Sequence, residues 1–168
     1  MTMNRYPKAK WVPAYAGNIG GALDVLRVRL IVEHVAQGNW QSGIDAWFRN
    51  PNAKVSSHFS ISRLGVIHQH VELDRMAWAE ADYNDVAWSI ENLGYSGNKM
   101  PVLQKRANLR LLSFLHEQAP HIPLRRTSNP NGTGVIGHGE LGIAGGDHPD
   151  CPGRPILAQL NTALSPKL

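Results

Sequence analysis

The residues of this chain best able to do chemistry together are two histidines and one cysteine, far apart in sequence. His34 closes the apolar run Leu30-Ile31-Val32-Glu33, His138 lies between Gly137 and Gly139, and Cys151 sits in His148-Pro149-Asp150-Cys151-Pro152-Gly153. One thiolate and two imidazoles form a three-ligand set suited to catalytic zinc, with a fourth position left for water. Cys151 is the sole cysteine, so an intramolecular disulfide is excluded. It is either a metal ligand or a small buried apolar residue. Each histidine alone reads equally as a satisfied core residue; the three together favour a metal. Pro149 and Pro152 stiffen the cysteine loop, and the glycines beside His138 permit close backbone approach.

Hydrolysis at such a centre needs a base for the water proton and a donor for the oxyanion. Glu91 is the candidate base: it is a charge inside the apolar segment Trp88-Ser89-Ile90-Glu91-Asn92, and buried carboxylates are rare unless paired or near metal. Its other reading is an edge-strand glutamate in water. His148, near Cys151, is the candidate oxyanion donor, or else a loop histidine without a role.

These side chains need rigid elements to mount them. Arg27 to His34 reads as a buried strand. Ser42 predicts the cap of a helix over Gly43 to Asn50, stopped by Pro51. Val55 to Ser62 and Val66 to Glu72 predict a hairpin about Arg63-Leu64-Gly65. A loop from Asp74 to Val86 leads into a strand over Ala87 to Asn92. Pro101 opens a helix that ends by Pro120, with Leu103, Ala107, Leu111 and Leu115 as its inward stripe and Phe114 widening it. Ser128 to Gly134 is loop, Val135 to His138 a strand end, Gly139 to Gly153 a loop, and Pro155 to Leu164 a last helix. The fold class is α/β: one domain with a central mixed β-sheet flanked by helices.

The bulk properties agree. At 168 residues with 42% hydrophobic and 18% charged content, the chain suits a single globular domain rather than a disordered one. It contains no apolar run long enough to span a membrane, and Met1 to Gly21 lacks the apolar stretch of a secretory signal. The net charge of +4 suits an anionic partner such as nucleic acid or a cell wall, although the basic residues fall mostly on what reads as a solvated face.

Five stretches, in order, carry a resemblance to a known family. They are Ile31 to His34; Ser56-Ser57-His58-Phe59-Ser60-Ile61-Ser62-Arg63-Leu64-Gly65; Arg75-Met76-Ala77-Trp78-Ala79; Ser89-Ile90-Glu91-Asn92-Leu93-Gly94-Tyr95; and Gly137-His138 through Cys151-Pro152-Gly153. The set resembles zinc-dependent N-acetylmuramoyl-L-alanine amidases, in the superfamily that includes peptidoglycan recognition proteins. Asp45 to Pro51 and the His-Pro-x-Cys-Pro-Gly ending are similar to actinobacterial and actinophage lysins. The resemblance covers about residues 27 to 160. It implies zinc on His34, His138 and Cys151, Glu91 as general base, and a groove for the glycan strand and stem peptide of peptidoglycan. Trp78 falls where relatives line that groove, and His58 is a groove or packing residue.

The sequence departs from the family in several places. Ser57 stands where some relatives have a catalytic tyrosine, and Pro149 where many have lysine or threonine. His148 is the proposed substitute for that lysine or threonine. Trp78-Ala79-Glu80-Ala81 replaces Trp-His-Ala-Gly, and Asp150 is the alternative to Cys151 as third ligand. His68 and His70 read as a solvated or hydrogen-bonded strand face, and His116 and His121 as surface residues near a helix end. The alternative function is a non-catalytic peptidoglycan-binding module. A nucleic-acid-binding protein with structural zinc would need a closed fourth ligand, for which there is no second cysteine. The expected setting is synthesis in the cytoplasm and action at the cell wall, after release through a holin-type pore.

Overall fold

The computed structural model describes residues 3–165. Its main sheet contains β1 (Lys10–Trp11), β3 (Leu30–Val35), β4 (Phe59–Ile61), β5 (Ile67–Gln69), β7 (Ala87–Asn92) and β8 (Gly134–Gly137), in the order β1-β5-β4-β7-β3-β8. β3 runs parallel to both β7 and β8, β7 runs parallel to β4, and only the β4–β5 pair is antiparallel. Every residue of β3 is buried, as expected of a central parallel strand covered on both faces. The mixed sheet flanked by helices is the expected class.

α2 (Val102–Gln118) and α3 (Arg154–Leu164) close the larger core, where Ile31, Trp88, Ile90, Leu111, Leu115 and Leu160 pack together. A smaller cluster of Leu30, Val32, Ala87, Ile136 and Leu141 lies apart from it. Side chains alternate along a strand, so His34 falls on the Leu30 and Val32 side and Glu33 on the side of Ile31.

Several local expectations are corrected. α1 spans Gln41–Arg49 with Trp40 at its N-cap and no side-chain capping bond, so Ser42 is not the cap. Its far end is closed by Asn18, whose Nδ2 donates to the carbonyls of Phe48 and Asn50 at 3.0 and 2.9 Å, satisfying carbonyls the helix leaves open. On α2, Leu103 is 52% exposed. The inward stripe instead includes Gln104, which donates to the carbonyls of Ile61 and Leu93, and Asn108, which donates to Glu33. Polar side chains thus bridge the helix to strand ends where the hydrophobic pattern expects leucine. The hairpin strands are shorter than expected, because Ser56 leaves the sheet to pair with Asn18 and Trp78. The loop from 74 to 86 contains β6 (Arg75–Ala77), paired with β2 (Ile19–Ala22), and a 3-10 turn over Ala81–Tyr83.

α1 is tethered by polar contacts as well as by Phe48. Asp45 accepts from His68 Nδ1 at 3.0 Å, Gln41 reaches Ser60, and Ser60 meets His70 Nε2 at 2.7 Å. His70 Nδ1–H donates to the Val12 carbonyl at 2.7 Å. His68 and His70 are therefore buried and hydrogen-bonded rather than solvated. His116 bonds to the nearby Ile122 carbonyl, and His121 makes a long-range bond to the Val28 carbonyl.

Burial pushes His58 and His70 down to about 4. Below the ordinary histidine range the unfolded chain takes up protons that these folded rings refuse. Their contribution to stability is therefore complete above about 6.5 and declines as pH falls toward 4. Buried Glu33 and Glu80, held up at about 7 and about 8, act in the opposite sense, so ring titrations are a cleaner test than a melting curve. NMR should show His58 and His70 neutral down to about pH 4; midpoints in the ordinary histidine range would contradict this.

Candidate metal centre

The parallel register assembles the centre. His34 on β3 is paired with Glu91 on β7, and Glu33 is paired with Gly137 on β8, so His138 follows one step beyond, next to His34. The two imidazoles lie 4.2 Å apart between ring centroids. Cys151 arrives from the loop before α3, and one ligand atom each from His34, His138 and Cys151 lie within 4.8 Å of one another. The sequence-predicted trio is thus brought together. Asp150, the alternative ligand, lies in the cleft wall but outside this cluster.

The cysteine loop is fixed by backbone contacts. Gly139 N–H donates to the Cys151 carbonyl at 2.7 Å, and a Cβ at Gly139 would come within 2.7 Å of the carbonyls of His148 and Pro149. Gly153, at φ +95°, lies so close to Ser96 that a Cβ would stand 1.9 Å from its carbonyl oxygen. Both close approaches exclude side chains. Val35 N–H points at the Cys151 sulfur at 3.3 Å. On the other side, Arg126 pairs with Glu140 at 2.6 Å, and the same carboxylate accepts from Gly137 N–H, which holds the end of β8 where His138 begins.

The ring nitrogens are already allocated. His138 Nε2 donates to the Gly145 carbonyl at 2.7 Å, and His34 Nε2 lies 3.1 Å from Glu80 Oε1. Nδ1 is the atom each ring has left to offer. Burial holds His34 below its usual range and His138 down to about 4, so both are neutral, the form that binds metal. Burial, reinforced by Glu91, pushes the Cys151 thiol up to about 12. A thiol so placed ionises only beside a positive charge, and the thiolate is the ligating form.

Two carboxylates, Glu80 and Glu91, stand against His34, and a third, Glu33, lies on the other face of β3. Glu33 is raised to about 7 by burial, opposed by the amides of Asn108 and Asn92. Glu80 is raised to about 8 by burial, and Glu91 is raised by burial despite His34. Glu91 Oε1 lies 3.9 Å from His34 Nδ1, and the Oε2 atoms of Glu80 and Glu91 are buried without hydrogen-bond partners. Buried acids without partners are costly, and this cluster is where a cation would relieve the cost. Sequence reasoning missed Glu80. The signal was a carboxylate two residues beyond Trp78, in a segment read as plain loop.

Above the trio opens a cleft of about 630 Å³. Trp78 lines it as expected, and His148 stands at its edge with its ring 4.7 Å from that of His138. His58 does not line the cleft. It is fully buried, with its ring nitrogens engaged by Ser89 Oγ and the Arg75 carbonyl, so it is a packing residue. Sequence reasoning also missed Trp40, just before α1, and Trp47, within it, which face the cleft at 81% and 54% exposure. Tyr95 also lines the cleft.

Comparison with known proteins identifies the family and the fold. Residues 24–154 match the family described as N-acetylmuramoyl-L-alanine amidase, and the chain belongs to that family. N-acetylmuramoyl-L-alanine amidase A of Achromobacter lyticus is 31% identical over 90 residues, covering 53% of this chain and 49% of that protein. The chain therefore spans about half the length of that curated relative. Among solved structures, AmpD superposes with a TM-score of 0.74 at 24% identity, covering 99% of each chain. Peptidoglycan recognition protein LE, solved in complex with tracheal cytotoxin, gives 0.69 at 15% identity over 94% of each chain. These two structures share the fold.

A protonated, shielded Cys151 has a measurable consequence. In protein held with a chelator at pH 8, its alkylation by iodoacetamide should run at least about a hundredfold slower than that of a free cysteine, whose pKa is about 8.5. Alkylation at the free-thiol rate would contradict the burial described.

Proposed function

We propose that this chain is a zinc-dependent amidase that hydrolyses the bond between the lactyl group of N-acetylmuramic acid and L-alanine in peptidoglycan, acting as a wall-lytic endolysin. The observation that carries the reading is the convergence of His34, His138 and Cys151 at the floor of an open cleft, with Glu91 in register beside them. Two imidazoles and a thiolate suit zinc, and three protein ligands leave a position open. Bound there, zinc would lower the pKa of water and polarise the scissile carbonyl.

The chain's own groups supply the remaining chemistry. Glu91, on the Nδ1 side of His34, accepts a proton from the attacking water as the new C–O bond forms, and delivers it to the alanine nitrogen as the C–N bond breaks. A carboxyl group whose affinity for protons is raised by burial is suited to both transfers. His148 donates to the oxyanion, a role its exposed position beside His138 supports. Trp40, Trp47, Trp78 and Tyr95 offer flat apolar faces to sugar rings and stem-peptide side chains.

Membership of the amidase family supports this reading, as does the fold shared with a recognition protein solved with a peptidoglycan fragment. That likeness also favours a second reading, a non-catalytic binding module. The complete ligand trio and adjacent carboxylate weigh against it.

Digestion of purified cell wall should release peptides with new N-terminal alanine, identified by mass spectrometry, and a chelator should abolish that release. Split glycan or chelator-resistant release would refute the proposal. Glu91→Gln should retain zinc while kcat falls by about 10²-fold or more; undiminished turnover would place the base elsewhere.

A further inference from the structure

Glu80 is fully buried, does not line the cleft, and makes one contact that bears on the centre: its Oε1 lies 3.1 Å from His34 Nε2. Its loop is held in place, because Asn84 Oδ1 accepts from the backbone N–H groups of both Ala79 and Glu80 at 3.0 and 2.8 Å. Glu91 approaches the other ring nitrogen of His34, at 3.9 Å. The two nitrogens of an imidazole point in different directions, so the two carboxylates serve different ends of one ring. Glu91 faces the cleft, and Glu80 stands behind.

A neutral imidazole carries its proton on one nitrogen, and the hydrogen bond made by that nitrogen decides which one is free to ligate. A ligating histidine commonly donates its second N–H to a carboxylate or a backbone carbonyl. His138 does so to the Gly145 carbonyl. We propose that Glu80 is the positioning residue for His34, accepting its Nε2–H and so fixing the tautomer and ring orientation that present Nδ1 to the cation site. This inference rests on the zinc reading above, and it assigns a role to one of the three residues, Ala79, Glu80 and Ala81, at which the chain departs from the family's Trp-His-Ala-Gly pattern. Glu80 acts through His34 and touches no reacting atom.

Two readouts independent of turnover test it on the full chain. In chelator-treated protein, long-range ¹⁵N–¹H NMR should find His34 protonated at Nε2 in the wild type, and a mixture of tautomers in Glu80→Ala. In competition with a chromophoric chelator, zinc affinity should fall about 10- to 100-fold in Glu80→Ala. Glu80→Gln, which keeps an acceptor oxygen in place, should recover most of the affinity. Wild-type His34 protonated at Nδ1 would overturn the inference, whatever the variants do. So would Glu80→Ala binding zinc as tightly as wild type. A wild-type chain that binds no zinc would overturn the site reading and this inference together.

Discussion

Parallel pairing puts residues of adjacent strands in step, and the centre of this molecule depends on that constraint at three neighbouring strand ends. β7, β3 and β8 finish together, and their last turns deliver Glu91, His34 and His138 side by side. None of these strands needs an unusual conformation to do this. The sheet's larger core, packed under α2 and α3, holds the register, because a slip of one residue would turn every side chain to the opposite face. A carboxylate and two imidazoles are thus placed by the hydrophobic effect acting some distance away.

The same placement concentrates negative potential where water is scarce. Glu80 and Glu91 crowd around His34 while Glu33 lies on the other face of β3, and burial raises the proton affinity of each. The fold meets this load in two ways. Glu33 is satisfied by the side-chain amides of Asn92 and Asn108 and belongs to the packing between strand and helix. Glu80 and Glu91 each retain an oxygen without a partner, and both sit against His34. Cys151, a neutral thiol under these conditions, adds another latent negative charge. A centre built this way favours a cation on electrostatic grounds before any particular geometry is considered.

Much of this was legible in sequence because it rests on local pattern. The apolar run ending in His34, the glycines about His138 and the prolines about Cys151 are short-range signals, and the structure brings those three residues together. The long helices and the strand over Ala87–Asn92 were legible for the same reason. What was missed depends on tertiary contacts. β1 and β2 have only two and four residues and exist because β5 and β6 are there to pair with them. Trp40 takes the N-cap position of α1 because contacts from β4 and β5, rather than a capping side chain, fix where that helix begins. His58 read as a groove candidate because its stretch resembles the family, but its ring is consumed by Ser89 and the Arg75 carbonyl. Glu80 lies in a segment with no periodicity, so its burial could not be read from spacing.

The floor and the wall of the cleft belong to separate structural systems. The floor is made of strand ends and a glycine-locked loop, with almost no freedom to vary. α1 instead hangs beside the sheet through Phe48, a few side-chain hydrogen bonds and a clasp from Asn18, and with its N-cap residue it turns two tryptophans outward over the cavity. Its outward face can be rewritten without disturbing the sheet's packing. Diversification of what the cleft grips can therefore proceed on the helix while its floor stays untouched.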